Sequence, residues 1–356
     1  MRTILTTVGT SLLNNAKRDL KGEEVNEHGL ANYLRRTDPE RASAETNSLS
    51  RILQEGDRII FLHSQTEEGK LCAQALERHY RSRDHDVELR EVPDLTYAER
   101  RFKMRGLRSL VATMIELIRR ERQHGREVLI NATGGFKAEI AYATLVGLLF
   151  DVPVYYIHEA FRDVIQMPPA PIGWDYSLLA DHEEFFEWIA SDLRETADVD
   201  AWLRGLPEEV REEVREKVRL LLVEEEGYTF LSPAGEAFYE AYKERLQQAE
   251  GVPVHLSSKA RATYERVGPE IARRFARALN KLRVRELRIS QSDRVRNSDC
   301  LVFPRGHCGE RVFYFEDGEA IYVCELARHS DRSYERLIAC GVRREAYRDF
   351  QRWEGR

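Results

Sequence analysis

The first 170 residues of this 356-residue chain alternate between short apolar runs and amphipathic stretches. Arg2–Gly9, Arg58–His63, Val87–Val92, Glu127–Asn131 and Pro153–His158 are rich in Val, Ile, Leu and Tyr, a composition that predicts strands. Between them, Leu107–Arg122 sets Leu107, Leu110, Val111, Met114, Ile115 and Ile118 at spacings of three and four, which predicts a helix with one apolar face. Strands alternating with helices point to a parallel sheet, an α/β Rossmann-like domain. Glu23–Ala44 is polar and is expected to be an irregular insertion over one edge. Asp163–Pro168 reads as a further strand, and the Pro-rich 168–173 closes the domain, drawn here as 1–172.

Two predicted strand ends in this domain carry residues suited to an anion. After the first strand come Gly9, Thr10 and Ser11; after Glu127–Asn131 come Thr133, Gly134, Gly135, Phe136 and Lys137. Glycine allows close backbone approach, while amides, hydroxyls and a Lys at a helix start attract phosphate. Neither run is GxGxxG or GxxxxGK[ST], so NAD and ATP are disfavoured and no cofactor is expected. A third loop, His63–Gly69 with Ser64, ends another strand, so all three open on the carboxyl edge of the sheet. Taken singly, each is equally well a tight turn capped by Ser or Thr.

The pair of motifs, TTVGTSLL with NATGGFK, resembles the CRISPR-associated Rossmann fold (CARF) family over about residues 1–170. The resemblance implies a dimer cleft for cyclic oligoadenylate, usually the tetra-adenylate, as an allosteric ligand. It implies contacts from Gly9, Thr10, Ser11, Thr133, Gly134, Gly135 and Lys137, with Ser64 and Asn131 beside them. A palindromic ring also implies a homodimer, each subunit supplying half the site.

Beyond residue 172 the character changes. Residues 173–250 are charge-rich and helical, and Tyr228–Ser232 followed by Pro233 is similar to the end of a winged helix, so 173–250 is expected to be a helical, winged-helix-like connector. From Gly251 to Arg356 there are 22 Lys and Arg against 15 Asp and Glu, leaving 33 against 46 in the first 250 residues. A basic tail on an acidic body directs polyanions to the tail. Residues 251–356 read as basic helices over Ala260–Leu282, then strands at Val284–Ser290, Cys300–Pro304, Arg311–Asp317 and Ala320–Leu326, then a helix over Asp331–Cys340. This is an α+β unit with an antiparallel sheet, whose last two strands meet in an Asp-Gly hairpin.

That third unit resembles the RelE toxin family over about 258–345, through Arg311 on the second-last strand, Arg328 ending the last and Tyr334 six residues on. The resemblance implies ribosome-dependent cleavage of mRNA in the A site, inhibiting translation in antiviral defence. Arg311 and Arg328 then clamp phosphate, and Tyr334 stacks on a base or moves a proton. The family's lysines on an earlier strand are absent: between Leu282 and Arg311 there is no Lys, and Arg305 or His307 fills that place, with His307 and His329 as proton carriers. The R-x4-6-H spacing of other effectors of this kind occurs only in the first domain, at Arg58…His63 and Arg119…His124, and is set aside. A ribonuclease on free single-stranded RNA and a ligand-responsive winged-helix DNA-binding regulator are the alternatives. Five scattered cysteines without CxxC spacing support neither disulfides nor a metal site, and no apolar run is long enough for a membrane span; a reducing cytoplasm is expected.

Overall fold

A computed structural model describes residues 1–20, 25–96, 98–99, 102–158, 163–167, 173–206, 208–305 and 309–355. The chain forms two compact units, Met1–Pro171 with Ile189–Glu240, and Ile172–Trp188 with Ala241–Arg356. This division differs from the three consecutive segments read from the sequence: 189–240 belongs with the first unit and 172–188 with the second.

In the first unit, β1 (Arg2–Val8) is followed by α1 (Ser11–Asp19), α2 (Glu27–Arg36), α3 (Pro39–Ala42) and α4 (Ala44–Ile52). Next come β2 (Arg58–Ser64), α5 (Glu67–Arg81), β3 (Asp86–Val92), the helix Leu107–Gln123, β4 (Glu127–Asn131), the helix Lys137–Leu149, β5 (Val154–Tyr156) and β6 (Ile165–Met167). The sheet order is β3-β2-β1-β4-β5-β6, parallel throughout except for β6. Six of the seven residues in each of β1 and β2 are buried, as a strand covered on both faces requires. The stretch expected to be irregular is instead helical over 27–36 and 39–42. Asn26 caps Gly29 N–H, and Leu30, Ala31, Tyr33 and Leu34 are buried at helical spacing. The 168–172 closure lies outside the described residues.

The chain winds outward from β1 to β2 and β3, then returns along Leu107–Gln123 to place β4 on the other side of β1. The sheet order therefore reverses between β1 and β4, and their carboxyl ends flank a crevice. At the opposite edge of the sheet Glu121 is buried, receiving hydrogen bonds from Thr3 Oγ1 (2.9 Å), Arg126 (2.7 Å) and Arg120 (3.0 Å).

The same unit carries a three-stranded antiparallel sheet, β7 (Arg194–Glu195), β9 (Tyr228–Leu231) and β8 (Leu222–Glu225), with helices Thr196–Arg204 and Glu208–Arg219 between β7 and β8. The charge-rich helical stretch read before Tyr228 gives way after Arg219 to the strand β8. Glu226 and Gly227 both take positive φ, the turn that joins β8 to β9 as a hairpin.

The second unit holds β10 (Val254–Leu256), β11 (Asp293–Arg294), β12 (Leu301–Phe303), β13 (Glu310–Asp317), β14 (Ala320–Arg328) and β15 (Gln351–Arg352), in the order β11-β12-β13-β14-β10-β15. All pairings are antiparallel except β10 with β14. The expected Asp-Gly hairpin joins β13 and β14, with Gly318 at φ +61°. The strand expected at Val284–Ser290 is a helix, Arg285–Gln291. Alternation would have buried Leu287 and Ile289 together, whereas Leu287 and Gln291 are buried and Ile289 is exposed. Helix Pro269–Arg283 lays Phe275, Leu279 and Leu282 into the core beside β13. Among the described residues no helix is long and apolar enough to cross a membrane.

The Glu121 network yields a first prediction. Burial alone would raise this carboxyl, but Arg126, Thr3 and Arg120 outweigh it and hold the group at about 2. A folded-state value depressed below the ordinary 4.5 gives stability that is present above that value and lost as pH falls toward 2. Glu121→Ala should destabilise the first unit by roughly 3–5 kcal/mol at neutral pH, by stranding its arginines and Thr3, and by much less near pH 3. Urea melts at the two pH values check this, and a loss of equal size at both contradicts it.

Candidate functional site

The β1 and β4 ends meet in backbone contact. A Cβ on Gly9 would lie 2.7 Å from Gly135 N and 3.2 Å from Gly135 Cα, so the first turn admits no side chain here. Gly134 is equally confined: a Cβ there would reach 2.6 Å from Thr7 O and collide with Glu45 Oε1. Gly135 takes φ +98°, and a Cβ on it would strike the Glu139 carboxylate. Thr7 Oγ1 donates to Gly134 O at 2.6 Å, tying the second turn to β1.

The element holding both turns is one that sequence reasoning missed. Glu45, fully buried on α4, accepts from Gly9 N–H at 2.8 Å and from Ser11 Oγ at 3.3 Å. Ser11 Oγ in turn accepts from Ala44 N–H at 3.0 Å. Gly9 and Ser11 are thus committed to an internal carboxylate in this state. Burial raises the Glu45 carboxyl, against the hydrogen bonds from Gly9 and Ser11 that favour its charge. Burial also pushes Glu139 up to about 7, opposed by the Phe136 backbone and assisted by the charge of Glu45. Nothing in the polar AETNSLS run signals this, although Glu45, Thr46, Asn47 and Ser48 are all buried.

The other expected sensor residues are distributed around this contact. Thr10 is the N-cap of α1 but makes no side-chain cap bond, and the helix Lys137–Leu149 likewise lacks one at Phe136. The first-turn amides of both helices are therefore unoccupied by their own caps, and Lys137 is exposed beside one of them. Thr133 Oγ1 donates to Asn131 Oδ1 at 2.9 Å and accepts from Ile157 N–H at 3.2 Å, so both hold the β4 end to β5. Asn131 Nδ2 is buried with no hydrogen-bond partner among the described residues. Ser64 is buried in its own turn, its hydroxyl bonded to Thr66 Oγ1 at 2.9 Å beneath Gly69.

In the second unit Arg311, His329 and Tyr334 come together. Arg311 is only 4% exposed, its guanidinium carbon 5.9 Å from the Tyr334 ring centre. The His329 ring lies 4.8 Å from that of Tyr334, and the Phe313 ring lies 6.3 Å from it. Arg328 does not join them. Arg311 pairs with Ala327 and Arg328 with Glu310, so successive positions put Arg328 on the opposite face from Arg311. Arg305 is exposed after Pro304, its N–H donating to Gln291 O at 2.7 Å. His307 lies outside the described residues.

Glu139 supplies the test of the crevice. Its folded value lies above the ordinary 4.5, so its contribution is most favourable below that and is lost as pH rises through about 7. Glu139→Gln should raise stability at pH 8 by about 2–3 kcal/mol and change little near pH 5, read from thermal melts. A gain independent of pH would show that the carboxyl is not strained by its burial.

Residues 40–170, a little over a third of the chain, match the family model described as CRISPR-associated protein (Cas_APE2256). That stretch includes Glu45 and the whole Asn131–Lys137 turn. Among solved structures the chain is similar to protein VC1899 from Vibrio cholerae, at 11% identity over 70% of this chain and 68% of that one, with a TM-score of 0.26. It is similar to Can2 from Sulfobacillus thermosulfidooxidans in complex with cyclic tetra-adenylate, at 11% identity over 70% and 67%, with a TM-score of 0.28. It is also similar to Enterococcus italicus Csm6 bound to cyclic hexa-2′-fluoro-hexa-dAMP, at 11% identity over 70% and 60%, with a TM-score of 0.30. At such TM-scores none of them fixes the arrangement of this chain.

Proposed function

We propose that the first unit senses a cyclic oligoadenylate, the tetra-adenylate above all, at the β1–β4 crevice of a homodimer, and that the second unit is an RNA-cleaving effector of RelE type acting on mRNA at the ribosome. The observation that carries the sensor reading is the contact of two glycine turns at the point where the sheet order reverses, with two uncapped helix starts and Lys137 beside them. The CRISPR-associated family match over 40–170 supports it. A ring made of repeating nucleotides has its own rotational symmetry, which a two-fold dimer cleft can share.

For the effector, the support is the Arg311–Tyr334–His329 cluster in a basic unit. Attack of a ribose 2′-oxygen on the adjacent phosphorus forms one P–O bond and breaks that to the 5′-oxygen, giving a 2′,3′-cyclic phosphate. Arg311 answers the charge that gathers on the phosphorane, while His329 and Tyr334 move the protons on and off. Tyr334 lies over Arg311, so the cluster as it stands is closed to phosphate and opens when that ring swings aside. Arg328, on the other face, is left out of this clamp.

Calorimetry with cyclic tetra-adenylate should give one ring per two chains, and Lys137→Ala should weaken binding roughly 10- to 100-fold by removing a charged hydrogen bond. On translating ribosomes, ring-dependent cuts should map to the A-site codon, with Arg311→Ala slowing them at least roughly 100-fold. Cuts that ignore the ring, or that survive Arg311→Ala unchanged, would falsify the effector half.

A further inference from the structure

Residues 172–188 belong to the second unit although the chain on either side of them, up to 171 and from 189, belongs to the first. The segment contributes a core of Tyr176, Leu179, Ala180, Phe185 and Phe186, all buried. It also brings five acidic residues, Asp175, Asp181, Glu183, Glu184 and Glu187, into a unit that is otherwise basic.

Two of those acids, Glu183 and Glu184, meet one face of the helix Pro269–Arg283. Arg274, Arg277 and Lys281 lie at i, i+3 and i+7 and share that face. Lys281 Nζ pairs with Glu183 at 2.9 Å and donates to Ala180 O at 2.6 Å. Arg277 pairs with Glu184 at 2.6 Å, and Arg274 with Glu270 of its own helix at 2.7 Å. Asp181 Oδ1 accepts from Gln291 Nε2 at 2.8 Å. Between these groups runs a cavity of about 200 Å³, lined also by Pro304 and Glu310. Burial raises the Asp181 carboxyl, against the hydrogen bond from Gln291 and the charges of Lys281 and Arg305. Glu310 is the register partner of Arg328. The cavity thus lies among six cationic or acidic side chains, and its Glu310 shares the sheet face away from Arg311 with Arg328.

We propose that this helix face is a binding surface for the backbone of single-stranded RNA, and that the acidic segment 181–184 covers it as an internal polyanion that RNA must displace. The proposal rests on the ribonuclease reading above for the identity of the polyanion. The spacing of the cations supports it: carboxylates occupy successive positions along the face, as successive phosphates do along a strand, and Arg binds either through the same fork of N–H donors. Glu184 is 78% and Arg277 47% exposed, so their pair is weak and yields to a competing phosphate. The segment is joined to the first unit at both ends, so a change there has a covalent route to this contact.

Anisotropy of a short fluorescein-labelled oligouridylate, titrated with the full-length protein over a series of salt concentrations, tests this. Arg274→Ala with Arg277→Ala should weaken binding about tenfold at low salt and reduce the slope of log K against log salt by about 1.4, two phosphate contacts on a single strand. Glu184→Gln, at a site 78% exposed and therefore tolerant, should tighten binding roughly three- to fivefold. Unchanged affinity and slope in the arginine variant, or no tightening in Glu184→Gln, overturns the proposal. Cleavage by Arg311→Ala is read separately: its loss with normal responses in the helix variants upholds both readings. Its persistence, with the binding responses as expected, sinks the ribonuclease alone.

Discussion

The crevice of the first unit depends on a carboxylate that never reaches solvent. Glu45 takes the amide proton of Gly9 and the hydroxyl of Ser11, which fixes the first turn, and its position leaves room for the second turn only because Gly134 has no side chain. A hydrogen bond to a buried charge is worth about 1.5–3 kcal/mol, and losing the acceptor leaves its donors unmet. The geometry at the strand ends is therefore held by α4, an element lying between β1 and β2 in sequence and contributing no strand. Glu139 adds a second carboxyl under the same turns, which burial, assisted by the charge of Glu45, pushes up to about 7.

The parallel sheet was legible because its signal is physical and local. A strand buried on both faces needs a run of apolar residues, and β1, β2 and β4 show such runs. The glycine turns were legible for a similar reason, since only glycine permits two backbones to approach as Gly9 and Gly135 do. Glu45 was not legible. Its burial is set by contacts with Gly9 and Ser11, 36 and 34 residues away, and nothing in its neighbours announces that. Val284–Ser290 misled for the opposite reason: its alternation fits a strand, and packing of Leu287 and Gln291 chose the helix.

Register explains why the arginines of the second unit part company. Arg311 and Arg328 are close in the hairpin, and a sequence reading that counts strand ends brings them together. The pairing of Arg311 with Ala327 sets them one position out of phase, and with a period of two that single step places them on opposite faces. The face of Arg311 is closed by Tyr334, whereas the face of Arg328 leads to the helix Pro269–Arg283 and its cations. One hairpin therefore presents a guanidinium to each side of the sheet.

Net charge gives no hint of this local balance. Residues 251–356 are basic as a sequence, but folding returns Glu183 and Glu184 from the acidic first 250 residues to the helix Pro269–Arg283. The three ion pairs on that helix face differ in solvation: Lys281 and Glu183 are each less than a fifth exposed, while Arg277 and Glu184 lie in water. Salt screens the outer pair and leaves the inner one nearly intact, because screening acts on charges that ions can approach. The inner pair and the buried aromatics then anchor the segment, and the outer pair sets how readily another anion takes its place.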